Sequence, residues 1–515
     1  MKIGIKNLRY AWLVGLVCRC FFAQAQNMSD FYTEKNHLVD VTVSVLSYGA
    51  DGTDTAEDSQ AFQEAIDAVT QQPNGGVIQV PAGTYYVMDI SMKSNVHFEI
   101  DHEVIIKPPK RTDTKNYGIF DFDGNNEIIH HVSIRGIDGS FTVDLTGLIN
   151  TNVRVYSFGN VENFLLSDFK TVDERTKFST VQMGTSPYND GYNSPENGVI
   201  LNGHVDNADY GYGLVQTQAA KNVLFKNLSG TGGVTLRFET GYVKMNELQI
   251  GGLFDLVGRN ISNENGNAAL MVSPHETKNG HIDVDGVTSI SSGFAVRLSS
   301  GYVRSEMGDI TAGYFANTSV IKNVKATFGT QAQLKEKHFL YMPCDLRGSV
   351  TEFTNYTGSV KIYQGPSIAA MVNTSIGTEP GHFQVEVTNV TAEGFECQVK
   401  AVVTDVDGDE NCTGIQKGCP AQKELTILNT GFFSQSFQVY PNPGQDLVSV
   451  VAPEGTKIDS VQVFSMIGNR VLSLPVQIPQ SILSVDFSQL SRGTYVIQVF
   501  ADRGKSWSQK IQLTK

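Results

Sequence analysis

The fold is decided near the N-terminus by VSVLSYGADGTDTAEDSQAFQEAIDAV, residues 43–69, which leads into GGVIQVPAGTYYV, residues 75–87. The first part predicts a strand, a loop rich in glycine and aspartate, and one amphipathic helix with Phe62, Ile66 and Val69 on its apolar stripe. The second part predicts a strand, a Pro-Ala-Gly turn and another strand. One helix therefore stands at the start of a chain that is otherwise rich in strands.

This order of elements resembles the N-terminal cap of right-handed parallel β-helices among polysaccharide-degrading enzymes. Such a cap covers the open end of a stacked apolar core, which water would otherwise reach. The resemblance implies that residues 26–94 form the cap and the first strands, and that residues 95–425 form a parallel β-helix catalytic domain.

A pattern that repeats irregularly over residues 95–330 points to the same fold, because short alternating strands are separated by Gly, Asn, Asp and Ser turns. Leu236, Leu270 and Val296 occupy equivalent places in successive repeats, and residues 330–425 read as later coils or an appended subdomain. A β-sandwich also uses many short strands and is the alternative. The predicted fold class is all-β: a right-handed parallel β-helix (a solenoid) with an N-terminal capping helix, plus a small C-terminal β-sandwich.

The predicted β-sandwich spans residues 435–515 and follows a linker at 426–434. It resembles the C-terminal sorting domain of the type IX secretion system of Bacteroidetes, a group with many marine members. YPNP at 440–443, the Gly468-Asn469 turn and SRGTY at 491–495 carry the resemblance. It implies export by the type IX secretion machinery, with the domain removed or anchored at the cell surface. A carbohydrate-binding module is the alternative.

The N-terminus has the layout of a secretory signal peptide, residues 1–25. A basic start precedes a short apolar run that contains Arg19, and Ala23-Gln24-Ala25 is a small-x-small cleavage site. The run is too short to span a membrane, so we expect no membrane-spanning segment after signal removal. A buried N-terminal helix is the alternative. We expect a monomer that is secreted or anchored at the cell surface.

The composition narrows the classes of partner. The chain has 515 residues, 18% of them charged, and a formal net charge of −14. Nucleic-acid binding is excluded by this balance, since it depends on clustered lysine and arginine. An anionic polysaccharide stays open, because a local arginine cluster can bind sulfate on an otherwise acidic surface.

Four cysteines remain once the signal peptide is removed: Cys344, Cys397, Cys412 and Cys419. Outside the cytoplasm these thiols can form disulfides. The loop between Cys412 and Cys419 is short enough to close on itself, but four cysteines allow three pairings and the sequence leaves all of them open.

An oxygen-rich loop, DVDGDENCTG, lies at residues 405–414. Asp405, Asp407 and Asp409 alternate along it, which is typical of loops that bind calcium. The loop lacks the spaced terminal glutamate of an EF-hand, so a solvated acidic turn is the alternative. We expect the chemistry of this protein to require no cofactor, with calcium as a structural ion.

Polar side chains converge on one face of the predicted solenoid. In a strand, residues two apart share a face, so Arg237 and Glu239 point outward together. Stacking of neighbouring coils adds Gln216, His275 and Arg297 to the same groove. Each has an ordinary alternative, such as a solvated carboxylate, a structural histidine or an ion pair of low value. Their convergence favours a functional site.

At these residues the sequence resembles the iota-carrageenase family of glycoside hydrolases. The resemblance runs from about Tyr212 to Val303 and is densest in LRFETGY, SPHETKNG and SGFAVRLSSGYV. It implies hydrolysis, with inversion, of the β-1,4 linkages of sulfated galactans from red algae. It also implies that the groove can hold a halide or sodium ion.

The resemblance assigns roles to particular positions. Glu239 matches the proton donor, which must be protonated to assist the leaving glycosidic oxygen. Gln216 and His275 match polar residues that hold water, an ion or the sugar beside the scissile bond. Arg237 and Arg297 match basic residues that bind sulfate by forked hydrogen bonds, and we expect Arg304 to bind substrate as well.

The chain departs from the family at two positions. Gly241 stands where the family carries the aspartate that acts as general base, and Arg304 stands where it carries another acid. Two residues of strand rise about 6.6–6.8 Å, which suits an inverting pair of carboxyls. Three interpretations follow: an active iota-carrageenase whose water is activated by another group, such as Glu306 or His275; a hydrolase for a differently sulfated carrageenan; or a galactan-binding protein without turnover.

Two other classes share the fold. A pectin-degrading enzyme would need paired aspartates with Gly-His-Gly and Arg-x-Lys motifs, and we find no such cluster in the sequence. A lyase would need a base that removes a proton beside a uronate carboxyl, and its products absorb in the ultraviolet. A purely structural adhesin would release no reducing ends from any galactan.

Overall fold

The computed structural model describes residues 27–124, 126–353, 361–398, 400–412, 438–440, 444, 447–452, 457–465, 470–501 and 505–514. The chain divides into two compact units, Met1–Pro420 and Ala421–Lys515. The predicted signal peptide and the predicted linker lie outside the described residues.

Short strands make up most of the first unit, in keeping with its alternating apolar and polar residues. The strands before residue 194 are β1 (Val41–Ser44), β2 (Gly76–Val80), β3 (Gly83–Tyr86), β4 (Ile90–Ser91), β5 (Val96–Asp101), β6 (Val104–Lys107), β7 (Tyr117–Phe122), β8 (Ile129–Ile137), β9 (Phe141–Asp144), β10 (Val153–Phe158), β11 (Val161–Val172), β12 (Val181–Met183), β13 (Ser186–Tyr188) and β14 (Gly191–Asn193). Those that follow in this unit are β15 (Glu196–Thr217), β16 (Ala219–Glu239), β17 (Gly252–Glu264), β18 (Ala268–Ser273), β19 (Ile282–Ile290), β20 (Phe294–Leu298), β21 (Val320–Thr327), β22 (Ala332–Leu334), β23 (Thr351–Glu352), β24 (Tyr363–Gly365), β25 (Met371–Asn373), β26 (Glu386–Glu393) and β27 (Val402–Val403).

The strands pair in parallel from coil to coil, so this unit is a parallel β-helix and the β-sandwich alternative is wrong for it. One ladder runs through β1, β2, β5, β8, β11, β15, β16, β17, β19, β21 and β26. A second ladder, which we call the groove face, runs through β4, β7, β10, β12, the ends of β15 and β16, β18, β20, β25 and β27. Leu236, Leu270 and Val296 lie in register on the groove face, which confirms their predicted equivalence.

A single long helix covers the start of the solenoid. Helix α1 (Ser59–Val69) buries Phe62, Ile66 and Val69, as its apolar stripe predicts. The Phe62 ring stacks on Phe98 of β5 with their centroids 6.0 Å apart, so the cap continues the apolar core of the coils. Within the described residues two shorter α-helices follow, α2 (Val243–Leu248) and α3 (Cys344–Arg347).

Asparagines hold bends within the long strands of successive coils. Asn197 and Asn222 both adopt the left-handed backbone region, with φ of 57° and 52°, which asparagine tolerates better than most residues. The Asn222 side chain donates to that of Asn197 at 2.8 Å, and Asn227 donates to Asn202 at 2.9 Å on a parallel row. Each bend is therefore hydrogen-bonded to the bend of the coil before it.

Residues 328–370, which we call the insertion, leave the solenoid between β21 and β25. Within them β22, β24 and β23 form a small antiparallel sheet. Gln333 fixes this sheet to the solenoid, because its side-chain oxygen accepts from the Gly233 amide at 2.7 Å and its amide group donates to the Ala208 carbonyl at 3.1 Å. Strands β25, β26 and β27 then continue the ladders as later coils.

A disulfide joins Cys344 in the insertion to Cys412, with their Cα atoms 5.7 Å apart. The short loop from Cys412 to Cys419 therefore does not close on itself, because Cys412 has its partner elsewhere. Cys397 is disulfide-bonded as well, while Cys419 lies outside the described residues. The Cys344–Cys412 bond joins residues 68 positions apart, and the spacing of the cysteines along the chain could not reveal this pairing.

The second unit is a small antiparallel β-sandwich. One sheet orders its strands β28, β29 and β32, and the other β31, β30, β33 and β34. Val448, Val463 and Val499 are among the residues that fill its core. The predicted SRGTY element enters β33, whereas most of YPNP and the Gly468-Asn469 turn lie outside the described residues. Its strands are β28 (Gln438–Tyr440), β29 (Leu447–Val451), β30 (Ile458–Ser465), β31 (Arg470–Gln480), β32 (Ile482–Asp486), β33 (Gly493–Ala501) and β34 (Lys505–Leu513).

Candidate active site

Polar side chains occupy one register position along the groove face. Gln182 of β12 lies opposite Gln216 of β15, and Gln216 lies opposite Arg237 of β16. The same row continues through Met271 to Arg297 of β20. Inward neighbours such as Leu236 and Phe238 are fully buried, so strand alternation alone turns the polar set outward.

Glu239 is the centre of this set. Its side chain is 12% exposed and accepts from the Gln216 amide at 3.3 Å. Arg237 forms an ion pair with the same carboxylate oxygen, while His275 Nε2 lies 3.3 Å from the other oxygen. The structure thus brings Gln216, Glu239 and His275 together in one groove, as the sequence predicts. Gln182, which the sequence analysis missed, donates to Gln216 at 3.1 Å.

The carboxyl of Glu239 is held ionised. Burial opposes ionisation, but the charge of Arg237 and the hydrogen bond from His275 outweigh it and lower the pKa of Glu239 to about 2. Because a carboxylate only accepts hydrogen bonds, His275 donates through Nε2, and its Nδ1 is hydrogen-bonded with the Tyr302 hydroxyl at 2.8 Å. Without bound substrate the site therefore presents a base at Glu239 rather than an acid.

The imidazole of His275 fills the space beside Gly241. A Cβ atom at Gly241 would lie 3.0 Å from both Cε1 and Nε2 of that ring. The backbone of Gly241 does not adopt the left-handed region, so only the ring would have to move to admit a side chain. Tyr302, another residue that the sequence analysis missed, holds the ring in place from its far side.

The two groove arginines differ in how they are held. Arg297 is 6% exposed and donates to the Asn267 side chain at 2.6 Å. Arg237 is 7% exposed, and its Nε and Nη1 atoms are buried with no hydrogen-bond partner among the described residues. Buried donors without acceptors are costly, so Arg237 is suited to receive an anionic ligand.

Arg304, predicted to bind substrate, turns to Glu276 instead. Its Nε and Nη2 atoms donate to the two carboxylate oxygens of Glu276, each at 2.9 Å. Because the Glu276 side chain has no exposed surface, its charge needs this partner, and we assign Arg304 a structural role. The remaining nitrogen of Arg304 reaches the Gly241 carbonyl at 3.4 Å, so the pair supports the loop beside Glu239.

Replacing Arg304 with methionine should destabilise the protein, since it leaves the carboxylate of Glu276 buried without its cation. We expect a loss of about 3 kcal/mol in the free energy of unfolding of the first unit. Chemical denaturation with Arg304→Met measures it. The double variant with Glu276→Leu should recover most of the loss, and equal destabilisation of the single and double variants would contradict this role.

Two lysines of the insertion add positive charge next to the groove. Lys335 places its ammonium 4.5 Å from the ring centre of Tyr210. Burial, together with the charges of Arg297 and Lys335, lowers the pKa of Lys337 to about 8. The sequence analysis did not identify either lysine. Their alternation in KEKH at residues 335–338 would place both side chains on one face of an extended segment and could have indicated a basic site.

The structure does not gather the predicted calcium ligands. Asp405 accepts from the Tyr341 hydroxyl at 3.0 Å, and Asp407 forms an ion pair with Lys400 while it accepts from the Thr404 amide at 2.9 Å. Across the part of the chain that the structure describes, no group of three or more His, Cys, Asp or Glu side chains is arranged to hold a metal. Asp405 and Asp407 therefore stabilise this turn through contacts with other protein groups.

Family models match two regions of the chain. A model described as a secretion system C-terminal sorting domain matches residues 438–514. A model described as rhamnogalacturonase A/epimerase, pectate lyase-like, matches residues 42–252, which lie within the solenoid. The two matches agree with the two units and with their folds.

Three relatives are similar over most of their length. An iota-carrageenase of Alteromonas macleodii is 32% identical over 447 residues, covering 85% of this chain and 85% of the relative. An iota-carrageenase of Zobellia galactanivorans is 34% identical over 428 residues, covering 71% of this chain and 86% of the relative. A solved iota-carrageenase complexed to iota-carrageenan fragments superposes with a TM-score of 0.69 at 31% identity, covering 74% of this chain and 94% of that one.

Proposed function

Because the chain belongs to the iota-carrageenase family, we propose that it is an endo-acting hydrolase that cleaves the β-1,4 linkages of a sulfated galactan with inversion, Glu239 being the proton donor. The observation that supports this most is the convergence of Gln216, Arg237 and His275 on the single carboxyl of Glu239 on the groove face.

Arg237 supplies the recognition of sulfate. A sulfate ester has acceptor oxygens and no donors, which matches the two buried N–H groups of Arg237 that lack a protein partner. Arg297 and Lys337 add positive charge nearby, in a chain whose net charge is −14. Local positive charge on an acidic protein favours an anionic chain in this groove over other surfaces.

The bound galactan converts Glu239 into an acid. A sulfate on Arg237 neutralises the charge that keeps the carboxyl ionised, and the sugar excludes water from it. Both effects raise the pKa of Glu239, so that the carboxyl takes up a proton and donates it to the glycosidic oxygen. The proton that the attacking water loses must go to a base other than Nε2 of His275, because that nitrogen already carries the hydrogen that it donates to Glu239.

Replacing Arg237 with glutamine should raise the pKa of Glu239, because its main opposing charge is lost. In the wild-type protein the lowered pKa stabilises the fold above about pH 4.3, the ordinary value for glutamate, and this contribution disappears as the pH falls towards about 2. In Arg237→Gln the carboxyl should titrate above pH 4.3, which infrared spectroscopy of the Glu239 carboxylate can follow. Lys244→Gln, an exposed lysine of α2, should change nothing, and an unaltered titration in Arg237→Gln would contradict the proposal.

A galactan-binding protein without turnover is the second candidate. Gly241 and the ionised Glu239 favour it, because both remove groups that hydrolysis needs. Incubation with iota-, kappa- and lambda-carrageenan, with reducing ends measured, separates the two candidates. Release from iota-carrageenan without ultraviolet absorbance supports the hydrolase; absorbance would indicate a lyase; binding without release would leave the galactan-binding protein.

The C-terminal unit directs the chain out of the cell. We propose that type IX secretion machinery recognises the sorting domain and that the β-helix acts as a secreted or surface-anchored monomer. Among the described residues no helix combines the length and apolar character that a bilayer-spanning segment needs. Deletion of residues 438–514 should leave the protein inside the cell, which fractionation can test.

A further inference from the structure

One proton of the proposed reaction still lacks an acceptor, namely the proton of the attacking water. Glu239 cannot take it, because that carboxyl delivers its own proton to the glycosidic oxygen. Nε2 of His275 cannot take it either, because it already carries the hydrogen that it donates to Glu239. The acceptor is therefore another atom close to this pair.

Two further acids, Glu276 and Glu306, carry charge at the edge of the site. Glu276 has no exposed side-chain surface, and Arg304 donates to both of its oxygens, each at 2.9 Å. A base has to reach water, so Glu276 is excluded. Glu306 is exposed and accepts from the Ser305 hydroxyl at 3.2 Å. Among the described residues no hydrogen bond or ion pair joins Glu306 to Glu239, which makes Glu306 the alternative to be tested.

Tyr302 contacts the far side of the His275 ring. Its hydroxyl is hydrogen-bonded with Nδ1 at 2.8 Å, and the two ring centres lie 4.9 Å apart. Since Nε2 holds the hydrogen of the neutral imidazole, Nδ1 has a lone pair and receives the hydrogen of the hydroxyl. Burial of part of the side chain raises the pKa of Tyr302, so the phenol keeps this hydrogen. Tyr302 is 46% exposed, and its hydroxyl oxygen consequently offers only lone pairs to an approaching water.

The spacing of Glu239 and Tyr302 suits inversion. Nε2 of His275 lies 3.3 Å from the nearer carboxyl oxygen, Nδ1 lies 2.8 Å from the hydroxyl, and the width of the imidazole separates the two nitrogens. In inverting enzymes the acid and the base act on opposite faces of a sugar ring and lie about 6.5–9.5 Å apart. Two hydrogen bonds and one ring give a separation of this order, with room for the anomeric carbon and a water.

We propose that Tyr302 and His275 together form the base that activates the attacking water. This inference rests on the proposed function and assigns the step for which the chain has no second carboxyl at Gly241. The water gives a proton to the hydroxyl oxygen of Tyr302 while the hydroxyl gives its own proton to Nδ1 of His275. The oxygen of the water bonds to the anomeric carbon, the bond from that carbon to the glycosidic oxygen breaks, and this oxygen takes the proton of Glu239.

The proton transfers leave an imidazolium on His275 beside the newly formed carboxylate of Glu239. The two opposite charges lie 3.3 Å apart and stabilise each other. Nε2 then returns a proton to Glu239 through the same hydrogen bond, which restores the acid. Exchange of hydrogen with solvent at the exposed hydroxyl of Tyr302 restores the starting tautomer of the ring.

Tyr302→Phe tests the relay, because it keeps the ring beside His275 and removes only the hydroxyl. We expect the release of reducing ends from iota-carrageenan to fall about 10²-fold, at the lower end of what a positioned base contributes. Binding of the polysaccharide, measured by affinity electrophoresis, should stay the same. Tyr192→Phe, the same change at a tyrosine that is 41% exposed on β14, is the control and should keep the wild-type rate. Wild-type turnover by Tyr302→Phe would overturn the inference.

Azide distinguishes a missing base from a misplaced ring. The azide anion has no proton to lose, so it attacks the anomeric carbon without a base and forms a glycosyl azide while Glu239 protonates the leaving oxygen. We expect azide to restore turnover in Tyr302→Ala, with the azide of inverted configuration as product, and to restore none in Glu239→Gln. Absence of this product in Tyr302→Ala would show that Tyr302 only positions His275, and loss of turnover in Glu306→Gln with azide rescue would identify Glu306 as the base. Either result would overturn the relay.

A nitrogen NMR spectrum of His275 tests the same contact without turnover. We expect the hydrogen of the neutral ring on Nε2 in the wild-type protein and a mixture of both tautomers in Tyr302→Phe. A wild-type ring with its hydrogen on Nδ1 could not receive the proton of Tyr302, and this result would overturn the relay. Failure of the relay in a protein that still releases reducing ends would leave the proposed function intact, whereas a wild-type protein that hydrolyses no galactan would refute both.

Discussion

Glu239→Gln should reduce the release of reducing ends from iota-carrageenan by about 10³-fold, within the range that a positioned general acid contributes. Glutamine keeps the shape of the side chain and can still contact Gln216 and His275, but it has no proton to give to the leaving oxygen. Binding of the polysaccharide should change little, because Arg237 and Arg297 stay in place. Reducing-end assays give the rate, and affinity electrophoresis gives the binding.

A matched control for this variant is Glu247→Gln. Glu247 lies on α2 and is exposed, so the same chemical change there should leave the rate unaltered. Normal turnover by Glu239→Gln would show that the proton comes from another residue. Loss of both turnover and binding would instead indicate that the change damaged the groove.

Gly241→Asp should raise the rate of hydrolysis by about 10²-fold, because it places a second carboxyl two residues beyond Glu239, just past the end of β16. The new charge has two effects: it supplies a base for the water, and it raises the pKa of Glu239 by repulsion between like charges. The imidazole of His275 lies 3.0 Å from the position of the new Cβ and must shift by a few tenths of an ångström. Initial rates at several pH values measure the gain.

Gly241→Asn separates the base from the bulk of the side chain. An asparagine side chain displaces the His275 ring as much as an aspartate does, but it cannot accept a proton from water. We therefore expect the Asn variant to be no faster than the wild type. If the Asp and Asn variants were equally slow, His275 in its present position would be needed for turnover, and the water would already have its base.

The solenoid and its outward face could be predicted because they depend on local pattern. Two-residue alternation sets which side chains are buried, and spacing along the repeats placed Leu236, Leu270 and Val296 in register. The same rule brought Gln216 next to Glu239. The helix α1 was equally visible, since its apolar stripe lies within a single element.

Contacts made through loops could not be predicted in this way. Arg304 was expected to face the substrate, but it pairs with Glu276, an acid whose side chain is fully buried. Glu276 lies in a loop, and a buried loop residue does not belong to a periodic sequence pattern from which its burial could be predicted. Lys337 lies on the insertion within range of the charge of Arg297, and the path of the insertion depends on how Gln333 is held. Pairing of Cys344 with Cys412 depends on that path as well.

The Cys344–Cys412 disulfide makes the structure of the insertion depend on when the two thiols are oxidised. Thiols stay reduced in the cytoplasm, so the segment carrying Lys335 and Lys337 is not tied there to the end of the coil that contains Cys412. If the chain is exported as proposed, oxidation outside the cytoplasm then closes the bond. A newly made, reduced chain would accordingly bind polyanions with lower affinity than the oxidised protein. Full affinity would be reached only outside the cell, where the polysaccharide is found.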